Sequence, residues 1–418
     1  MPIEYRNKEA LMTNRDESCT GVLETTDRPP ADRLPKLQLL AFTIAGFLAI
    51  VTETMPAGLL PRIGRGLGVS EGLAGQLITL YAVGSVVAAI PVIAATHAVR
   101  RRTLLLSAVA GLLVFNVVTA LSTDYALTLG ARLFAGMAAG VVWGLLAGYV
   151  RRLVPVHLQG RALALAGVGQ PVALAFGVPL GTWLGSLFDW RGVFWIMAAV
   201  ALVLLVWVRS LVPDLPGLGA GKGSRLQDVL RVPGVLPVLT VMFLWMLAHN
   251  ILYTYIAPFL ASVRLGGSVD VMLLVFGVSA LAGIWLTGLF TDLRLRLLTL
   301  VSGVGFALAA LVLGVGAGSH AAVVAGIVLW GLTFGGAPTL LQTALADAAG
   351  PAADTAQSIF VTFFNLAVAG GGLFGGILLN TTGTASFPWF LLGFAVLAAL
   401  VVQQAREHGF KPGRRGDG

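Results

Sequence analysis

The chain carries few charged residues. Only 11% of its 418 residues are Asp, Glu, Lys or Arg, whereas 57% are hydrophobic. A soluble globular domain has about 25% charged residues and needs them to cover its surface. The composition therefore excludes an ordinary soluble domain and indicates a membrane protein.

Cysteine is nearly absent as well. The one cysteine, Cys19, lies in a polar N-terminal segment, which excludes a disulfide framework and a cysteine-based metal site. The sequence has no P-loop, which argues against ATP as the energy source, and its histidines lack the spacing of metal ligands. No Ser/His/Asp set is found either. We therefore expect no enzyme activity, no cofactor and no metal.

The sequence does contain many long apolar segments. A membrane-spanning helix needs about 20 mainly apolar residues, and these runs are too long and too continuously apolar for the strands of a barrel. The predicted spans are residues 37–61, 73–95, 103–122, 126–149, 162–186, 192–209, 236–262, 270–290, 297–316, 320–345, 356–379 and 386–404. The sequence thus predicts an all-α integral membrane protein with twelve transmembrane helices.

The distribution of basic residues predicts the orientation. The net charge is +8, which by itself would suit a nucleic-acid partner. If the N-terminus is cytoplasmic, however, most Lys and Arg residues fall in the inside segments, and the outside loops hold only Arg62, Arg65, Arg191 and Arg264. This is the positive-inside bias of a multi-pass protein. We expect a plasma or inner membrane location, both termini in the cytoplasm and no nucleic-acid partner.

The chain divides into two similar halves. One long polar connector, rich in Gly and Pro, follows the sixth span. The predicted regions are a disordered cytoplasmic tail (1–36), an N-terminal six-helix bundle (37–209), a cytoplasmic linker (210–235), a C-terminal six-helix bundle (236–404) and a cytoplasmic tail (405–418). Short basic turns, 96–102 and 291–296, follow the second span of each half. Inside loops collect arginines in any case, but the shared position favours a pair of parallel repeats.

Five short motifs occur in order along the twelve spans. They are Glu53, Pro56 and Leu59-Leu60-Pro61 in span 1, RLFAGMAAG (132–140) in span 4, GVPLGTWLG (177–185) in span 5, YTYIAPFL (253–260) in span 7, and Asn365 before AGGGLFGGIL (369–378) in span 11. Over about residues 36–405 the chain resembles the major facilitator superfamily, and within it the drug:proton antiporters of the arabinose- and sugar-efflux type. The resemblance implies two parallel six-helix pseudo-repeats around a central cavity.

The resemblance also gives the glycines of spans 5 and 11 a role. The antiporter motif corresponds to Gly177, Pro179, Gly181 and Gly185. Small residues let helix backbones approach and slide, and a proline permits a bend. We expect a surface between the two halves that takes part in the conformational change; close packing alone is the alternative.

The loop after span 2 departs from the family pattern Gly-x-x-x-Asp-Arg-x-Gly-Arg-Arg. Ile93 and His97 stand where the family has its first Gly and its Asp. The latch that this Asp supplies in the family is therefore doubtful in the first half, where His97 would replace it only weakly and in a pH-dependent way. The candidate residues of the cytoplasmic gating loops are His97, Arg101, Arg102, Gly288 and Asp292.

Two charged residues lie deep in the spans. Glu53 is the only acid and Arg132 the only base at such depth, and both lie roughly 12–14 Å below the outer surface at 1.5 Å per residue. Spans 1 and 4 line the central cavity in the family resembled, so we expect the two to meet. Dehydration favours the neutral acid and Arg132 favours the carboxylate, so a conformational change would load and release a proton. A static buried ion pair and a lone hydrated acid are the alternatives, although ionisable residues within the membrane are usually functional.

Span 7 carries a stripe that suits an amphiphilic solute. Trp245, His249 and Tyr253 recur at four-residue steps, with Asn250 alongside. Aromatic rings would stack on the solute and the polar groups would orient it; packing between helices is the alternative. Weaker candidates for the same cavity are Trp143, Gln170, Trp330, Gln342 and Asn365. Hydrogen bonding between helices would explain these equally well.

Taken together, these features predict a monomeric secondary transporter that works by alternating access. It exports a small organic solute, such as a drug, sugar or nucleoside, in exchange for protons; its partners are the solute, protons and the lipid bilayer. Direction and coupling rest on the resemblance. The alternatives are a proton-linked or uncoupled importer of a sugar or nucleoside, and a non-transporting membrane sensor or scaffold on the same fold. Against the scaffold, nothing looks like a soluble signalling domain, and a buried charge pair would be needlessly costly.

Overall fold

A computed structural model of the protein describes residues 34–89, 96, 98–217, 226–411 and 413. Within this part of the chain, twelve helices are long and apolar enough to cross a membrane, which confirms the predicted fold class. They are α1 (Lys36–Leu67), α2 (Glu71–Ala88), α3 (Arg101–Leu121), α4 (Tyr125–Arg152), α5 (Val156–Leu187), α6 (Trp190–Leu211), α7 (Val235–Thr254), α8 (Gly266–Thr291), α9 (Arg294–Val315), α10 (His320–Ala352), α11 (Thr355–Thr381) and α12 (Thr384–Gln404). The segment 1–33, predicted to be a disordered tail, lies outside the described residues.

Helix α1 is longer than predicted. The sequence placed its end at residue 61, but the helix contains Pro56 and Pro61 and continues to Leu67. It ends at Gly68, whose φ of 67° is left-handed, a conformation that glycine adopts without strain. The Leu59-Leu60-Pro61 motif is therefore a proline site inside the helix and not its exit.

One other proline coincides with a real break. Helix α7 stops at Thr254, and a second helix, Ile256–Ser262, follows after Tyr255, whose φ of −108° and ψ of 29° are not helical. Pro258 lacks the N–H that would bond to the carbonyl of Thr254, so the helix is interrupted one turn before it. Helix α10 has a milder irregularity at Gly336, whose φ of −81° and ψ of −14° stay in the helical region, just before a helix with a proline in its first turn.

The two halves repeat the same close helix contacts. In the first half, Gly136 of α4 lies against the backbone of Tyr81 in α2, and in the second, Gly335 of α10 lies against the backbone of Ala280 in α8. Both pairs have the same offset along the chain, and at either glycine a Cβ would overlap the facing carbonyl oxygen. Two like bundles built on parallel repeats follow from this correspondence.

Both described chain ends, at residues 34 and 413, lie at one end of the bundle, which we call the terminal face. The loop after α2 holds the segment after α6 there: Arg100 Nε lies 2.6 Å from Asp214 Oδ2, and Arg102 Nη2 lies 3.8 Å from the same atom. The start of α9 does the same in the other half, where Arg296 donates to the carbonyl of Phe410 at 3.0 Å. The basic residues that follow α2 and α8 thus each anchor the end of their own bundle.

The predicted gating residues are only partly described. Arg102 binds Asp214, and the backbone N–H of Arg101 donates to the carbonyl of Leu215 at 2.9 Å. Gly288 faces open space. His97 and the side chain of Asp292 lie outside the described residues, so the gate itself stays a prediction.

Candidate functional site

Glu53 lies in the middle of α1, and Arg132 lies on α4. Both side chains are buried, with exposed fractions of 6% and 0%. Helix α1 contacts α2, α4, α5 and α6 of its own half, and it also reaches α7 and the helix Ile256–Ser262 of the other. The only deep acid and the only deep base of the spans are therefore neighbours, as the sequence predicted.

The guanidinium of Arg132 bonds to the backbone of α1. Its Nη2 donates to the carbonyl of Thr52 at 2.5 Å and to the carbonyl of Glu53 at 3.3 Å, while Nε donates to Leu77 of α2 at 3.4 Å. Among the described residues, no nitrogen of Arg132 comes within 4.0 Å of the Glu53 carboxylate. The two residues meet, but the direct ion pair expected between their side chains is not formed in this conformation.

Pro56 explains this arrangement. A helical residue at position 56 would donate its N–H to the carbonyl of Thr52, but proline has none. That carbonyl is buried, and a buried carbonyl without a donor is costly. Arg132 supplies the missing donor and leaves the Glu53 carboxylate free of its guanidinium.

Tyr81 and Asn116 complete the surroundings of Arg132, and sequence reasoning missed both. The guanidinium lies 4.7 Å from the ring centroid of Tyr81, a cation–π contact that helps to hold a buried cation. Asn116 donates to the hydroxyl of Thr52 at 3.2 Å. Arg132 Nη1 and Asn116 Oδ1 are both buried without a hydrogen-bond partner among the described residues. Asn116 is a single asparagine within the apolar third span, and this was the sequence signal for the polar network.

We expect Arg132→Lys to fold but to be less stable. A lysine keeps the charge, yet its single ammonium cannot reach both the Thr52 and the Leu77 carbonyls. Losing one buried hydrogen bond to a charged group costs about 1.5–3 kcal/mol, which a denaturation midpoint in detergent will measure. Arg209→Lys at the exposed end of α6 is the matched control. Equal midpoints for the two variants would contradict the role given to the guanidinium.

An aromatic cluster lies in the second half, around His249. We define it as His249, Tyr253, Phe276, Trp330 and Phe334. His249 stacks on Phe334 with ring centroids 3.5 Å apart, and on Tyr253 at 5.1 Å. Trp330 donates from Nε1 to His249 Nδ1 at 3.2 Å. Since Nδ1 accepts, the hydrogen-bond network assigns the ring proton to Nε2 and an uncharged imidazole.

Trp245 does not join this cluster, contrary to the predicted stripe. It packs against Phe306 of α9, with ring centroids 6.0 Å apart, and lines a small space between α7, α9 and α12. Because a helix has 3.6 residues per turn, each four-residue step goes slightly beyond one full turn, and two such steps displace the side chain around the helix axis. The stripe therefore turns away from the centre between His249 and Trp245.

The remaining candidates are dispersed. Asn250 and Asn365 donate to the carbonyls of Met246 and Val361, each one turn back in its own helix, which satisfies them locally. The others lie apart: Trp143 is half-buried against Gly46 of α1, Gln170 is half-buried in α5, and Gln342 is exposed and accepts from Gln357 at 3.4 Å. Only Trp330 of this weaker group reaches the aromatic cluster.

The aromatic cluster and Glu53 lie on the two sides of one interface. The hydroxyl of Tyr253 lies beside Thr54 of α1 and within electrostatic range of Glu53. The hydroxyl is buried and has no hydrogen-bond partner of normal geometry among the described residues. Thr54 itself donates back to the carbonyl of Ile50 at 2.7 Å. A buried phenol of the second half thus lies next to α1 at the residue after Glu53, across the boundary between the halves.

The antiporter motif packs against α1 of its own half and also lies at the surface between the halves. A Cβ at Gly177, Gly181 or Gly185 would strike Val51, Met55 or Leu59, respectively, which form one four-residue ridge of α1. The three glycines therefore seat α5 on α1 within the first bundle. The helix of the motif, Val178–Leu187, also contacts the segment Val269–Val315 of the second half. The motif thus lies at the surface between the halves, and its part in the conformational change stays a prediction.

One close contact with the other half lies at the N-terminal edge of this motif. Gly277 of α8 packs against the backbone of Ala175, which lies in a π-helical turn, Ala173–Gly177. Pro179 cannot donate to the carbonyl of Ala175, and π turns of this kind occur often at functional sites. Pro179 thus acts on the inter-half contact through the backbone one turn away.

Tyr255 closes the bundle at the end opposite to the terminal face, which we call the opposite face. Its hydroxyl donates to the carbonyl of Gly372 in α11 at 2.7 Å and lies 3.2 Å from the carbonyl of Gly72 in α2. Gln76 of α2 donates to the Tyr255 oxygen and to Gly372, both at 3.3 Å. We call these four residues the Tyr255 latch, and they join the two halves.

The Tyr255 latch was missed, although the sequence contains a signal for it. Residues 52–56 read TETMP and residues 254–258 read TYIAP, so both central helices carry Thr-x-x-x-Pro. Tyr255 follows its threonine as Glu53 follows Thr52. The offset along the chain that relates Gly136 to Gly335 also relates Arg132 to Gly331, so Gly331 stands at the position equivalent to Arg132. No arginine then bonds the freed carbonyl of Thr254, and the helix breaks at Tyr255.

Two like six-helix bundles with a buried acid between them define a secondary transporter fold. The family model of the Major Facilitator Superfamily matches residues 42–368. The chain belongs to this superfamily, a family of membrane transporters and not of enzymes.

Similar proteins cover nearly the whole chain. The transcription regulatory protein OpdE of Pseudomonas aeruginosa is 32% identical and matches 93% of this chain and 98% of its own length. The purine ribonucleoside efflux pump NepI of Escherichia coli is 30% identical over 87% of this chain and 92% of its own. A probable sugar efflux transporter of Helicobacter acinonychis is 27% identical over 84% and 90%. A solved D-xylose-proton symporter has the same fold, with a TM-score of 0.73 at 16% identity over 91% of this chain and 97% of its own.

Proposed function

We propose that this transporter exports a small organic solute in exchange for protons. The observation that carries the proposal is the place of Glu53: a buried acid at the interface of the halves, with the Tyr253 hydroxyl on one side and Arg132 held by the backbone of α1 on the other. A titratable group at the boundary that alternating access opens and closes is what proton coupling requires. We further propose that the terminal face is cytoplasmic, in line with the positive-inside bias.

In this orientation the Tyr255 latch closes the outer side. Solute and Glu53 would then exchange with the cytoplasm, and opening of the latch would expose both to the outside. A proton entering from the outside neutralises the Glu53 carboxylate. When the bundle opens inward, the proton leaves, and the returning carboxylate draws Arg132 from the Thr52 carbonyl toward itself. Proton and solute thus use neighbouring sites that open to the same side of the membrane at each stage of the cycle.

The aromatic cluster favours a solute that carries a planar ring. Rings of Tyr253 and Phe334 flank His249, and aromatic groups of this kind recognise flat, amphiphilic molecules by stacking. Similarity to a protein named a purine ribonucleoside efflux pump supports the same class. We therefore propose nucleoside-like solutes ahead of simple sugars, which offer no ring face of this type.

Similarity to a protein named a transcription regulatory protein keeps a sensor as the second candidate. A sensor on this fold would bind a solute without moving it. It would need the binding groups around His249 but no titratable Glu53, so the two functions differ in their dependence on protons.

Everted vesicles test the proposal. Respiration acidifies their lumen, and the cytoplasmic side of the protein faces the medium. We expect inosine, adenosine or guanosine added to the medium to release luminal protons, seen as recovery of a quenched pH dye, while arabinose gives less. The control is vesicles without the protein. If nucleosides, sugars and amphiphilic drugs all fail to release luminal protons while the purified protein binds a solute, the sensor is favoured.

A further inference from the structure

The start of α1 forms a basic cavity with the start of α5 at the terminal face. The cavity has a volume of about 670 Å³, and Lys36 and Arg161 line it together with Leu37 and Leu158. Both cations are exposed, and no acidic residue is among the described residues that line it. The cavity therefore presents two positive charges beside apolar side chains.

An apolar groove adjoins this cavity. It runs between α1 and α6, has a volume of about 310 Å³ and is lined by side chains that include Ile44, Ile196 and Val203. Trp207 lines the groove, and its indole Nε1 donates at 3.1 Å to the carbonyl of Leu37, a residue that lines the basic cavity. The indole thus marks the point where the polar and apolar parts meet.

The order of these features along α1 matches the order of chemical groups in a phospholipid. Ile44 lies seven positions after Leu37, which is about 10 Å deeper at 1.5 Å per residue. Tryptophan is enriched at the boundary between headgroups and acyl chains. Basic pockets between transmembrane helices on the cytoplasmic side bind anionic headgroups, and each Lys or Arg adds to the attraction.

We propose that an anionic phospholipid binds here, with its phosphate between Lys36 and Arg161 and one acyl chain in the groove along Ile44 and Val203. Charge complementarity selects the headgroup, and continuity with the groove selects a lipid over a free phosphate. This site is separate from Glu53 and the aromatic cluster, and it does not depend on the proposed transport activity.

Native mass spectrometry of the full chain tests the proposal, with phosphatidylglycerol and phosphatidylcholine as probes. We expect wild type to retain one phosphatidylglycerol preferentially, and Lys36→Gln/Arg161→Gln to lower this retention by about thirtyfold. Arg62→Gln/Arg264→Gln, which removes two exposed charges at the opposite face, is the matched control and should retain the lipid. Thermal midpoints in detergent establish that both double variants are folded.

A second variant tests the groove. Val203→Trp places bulk where the acyl chain would lie and leaves both cations in place, so it should also lower phosphatidylglycerol retention. Equal retention of phosphatidylcholine, or competition by inorganic phosphate or glycerol phosphate at concentrations similar to the lipid, would overturn the proposal. So would lipid retention that appears only after deletion of residues 1–33, because the occupant would then be the chain's own N-terminal segment.

Discussion

Glu53→Gln is expected to abolish proton-driven efflux while solute binding persists. Glutamine has the shape of the protonated acid but cannot ionise, so the proton step is lost. The packing of α1 should survive, because Arg132 bonds to the backbone carbonyls of residues 52 and 53 and not to the carboxylate. We expect uphill efflux to fall to the level of vesicles without the protein, whereas exchange of labelled for unlabelled solute continues and no longer responds to pH.

Glu71→Gln is the matched control for this result. Glu71 begins α2 at the opposite face and is half-exposed, so its neutralisation should leave efflux intact. Glu53→Asp keeps a titratable group and should restore part of the coupling. If Glu53→Gln still drives uphill efflux, the proton is carried elsewhere; if it loses exchange as well as coupling, the carboxylate is a binding group.

The twelve spans could be predicted because lipid leaves the backbone little choice. Without water, every N–H and carbonyl must be satisfied within the helix, so long apolar segments have one solution. The breaks could not be predicted in the same way. Pro56 leaves α1 continuous, and Arg132 donates to the carbonyl of Thr52 that this proline frees. Pro258 accompanies a break after α7. The outcome depends on whether a neighbour supplies a donor to the freed carbonyl.

The same limit applies to the charged pair. The sequence predicted that Glu53 and Arg132 are neighbours, which is correct, but it did not predict which group of Glu53 the guanidinium reaches. Pro56 held that information, since its missing N–H leaves the carbonyl of Thr52 open. For each proline in a span, the carbonyl four positions earlier lacks its helical donor. Applied to Pro56, this rule identifies the carbonyl of Thr52 as an acceptor for Arg132.

The side chains of α7 show a further limit. Four-residue spacing placed His249, Tyr253 and Trp245 on one stripe, yet only the first two share the aromatic cluster. Phe276 and Phe334, which complete it, lie in spans where an aromatic residue has no distinguishing pattern. A helix period gives the face of one helix, whereas the partner on that face depends on how neighbouring helices cross.

Gly375→Ala is expected to prevent closure of the opposite face and to reduce net efflux strongly. A Cβ at Gly375 would lie 2.8 Å from two ring carbons of Tyr255 and 3.3 Å from the carbonyl oxygen of Ile251. The tyrosine is fully buried between α2 and α11, so its ring has no free space to enter. The Tyr255 latch cannot then form, and the bundle should stay open on that side.

Spin labels measure this opening directly. With Cys19 replaced by serine, labels at Thr123 in the loop after α3 and at Gly267 in the first turn of α8, both exposed and in different halves at the opposite face, should move apart in Gly375→Ala. Tyr255→Phe removes only the hydroxyl bonds, worth about 0.6–1.7 kcal/mol within a membrane, and should shift the open population by about threefold to twentyfold. Gly393→Ala, where a Cβ meets nothing within 4 Å, is the matched control. An unchanged label distance with normal efflux in Gly375→Ala would show that Tyr255 fills space without controlling access, because a gate that cannot close must either leak protons or stop exchanging them.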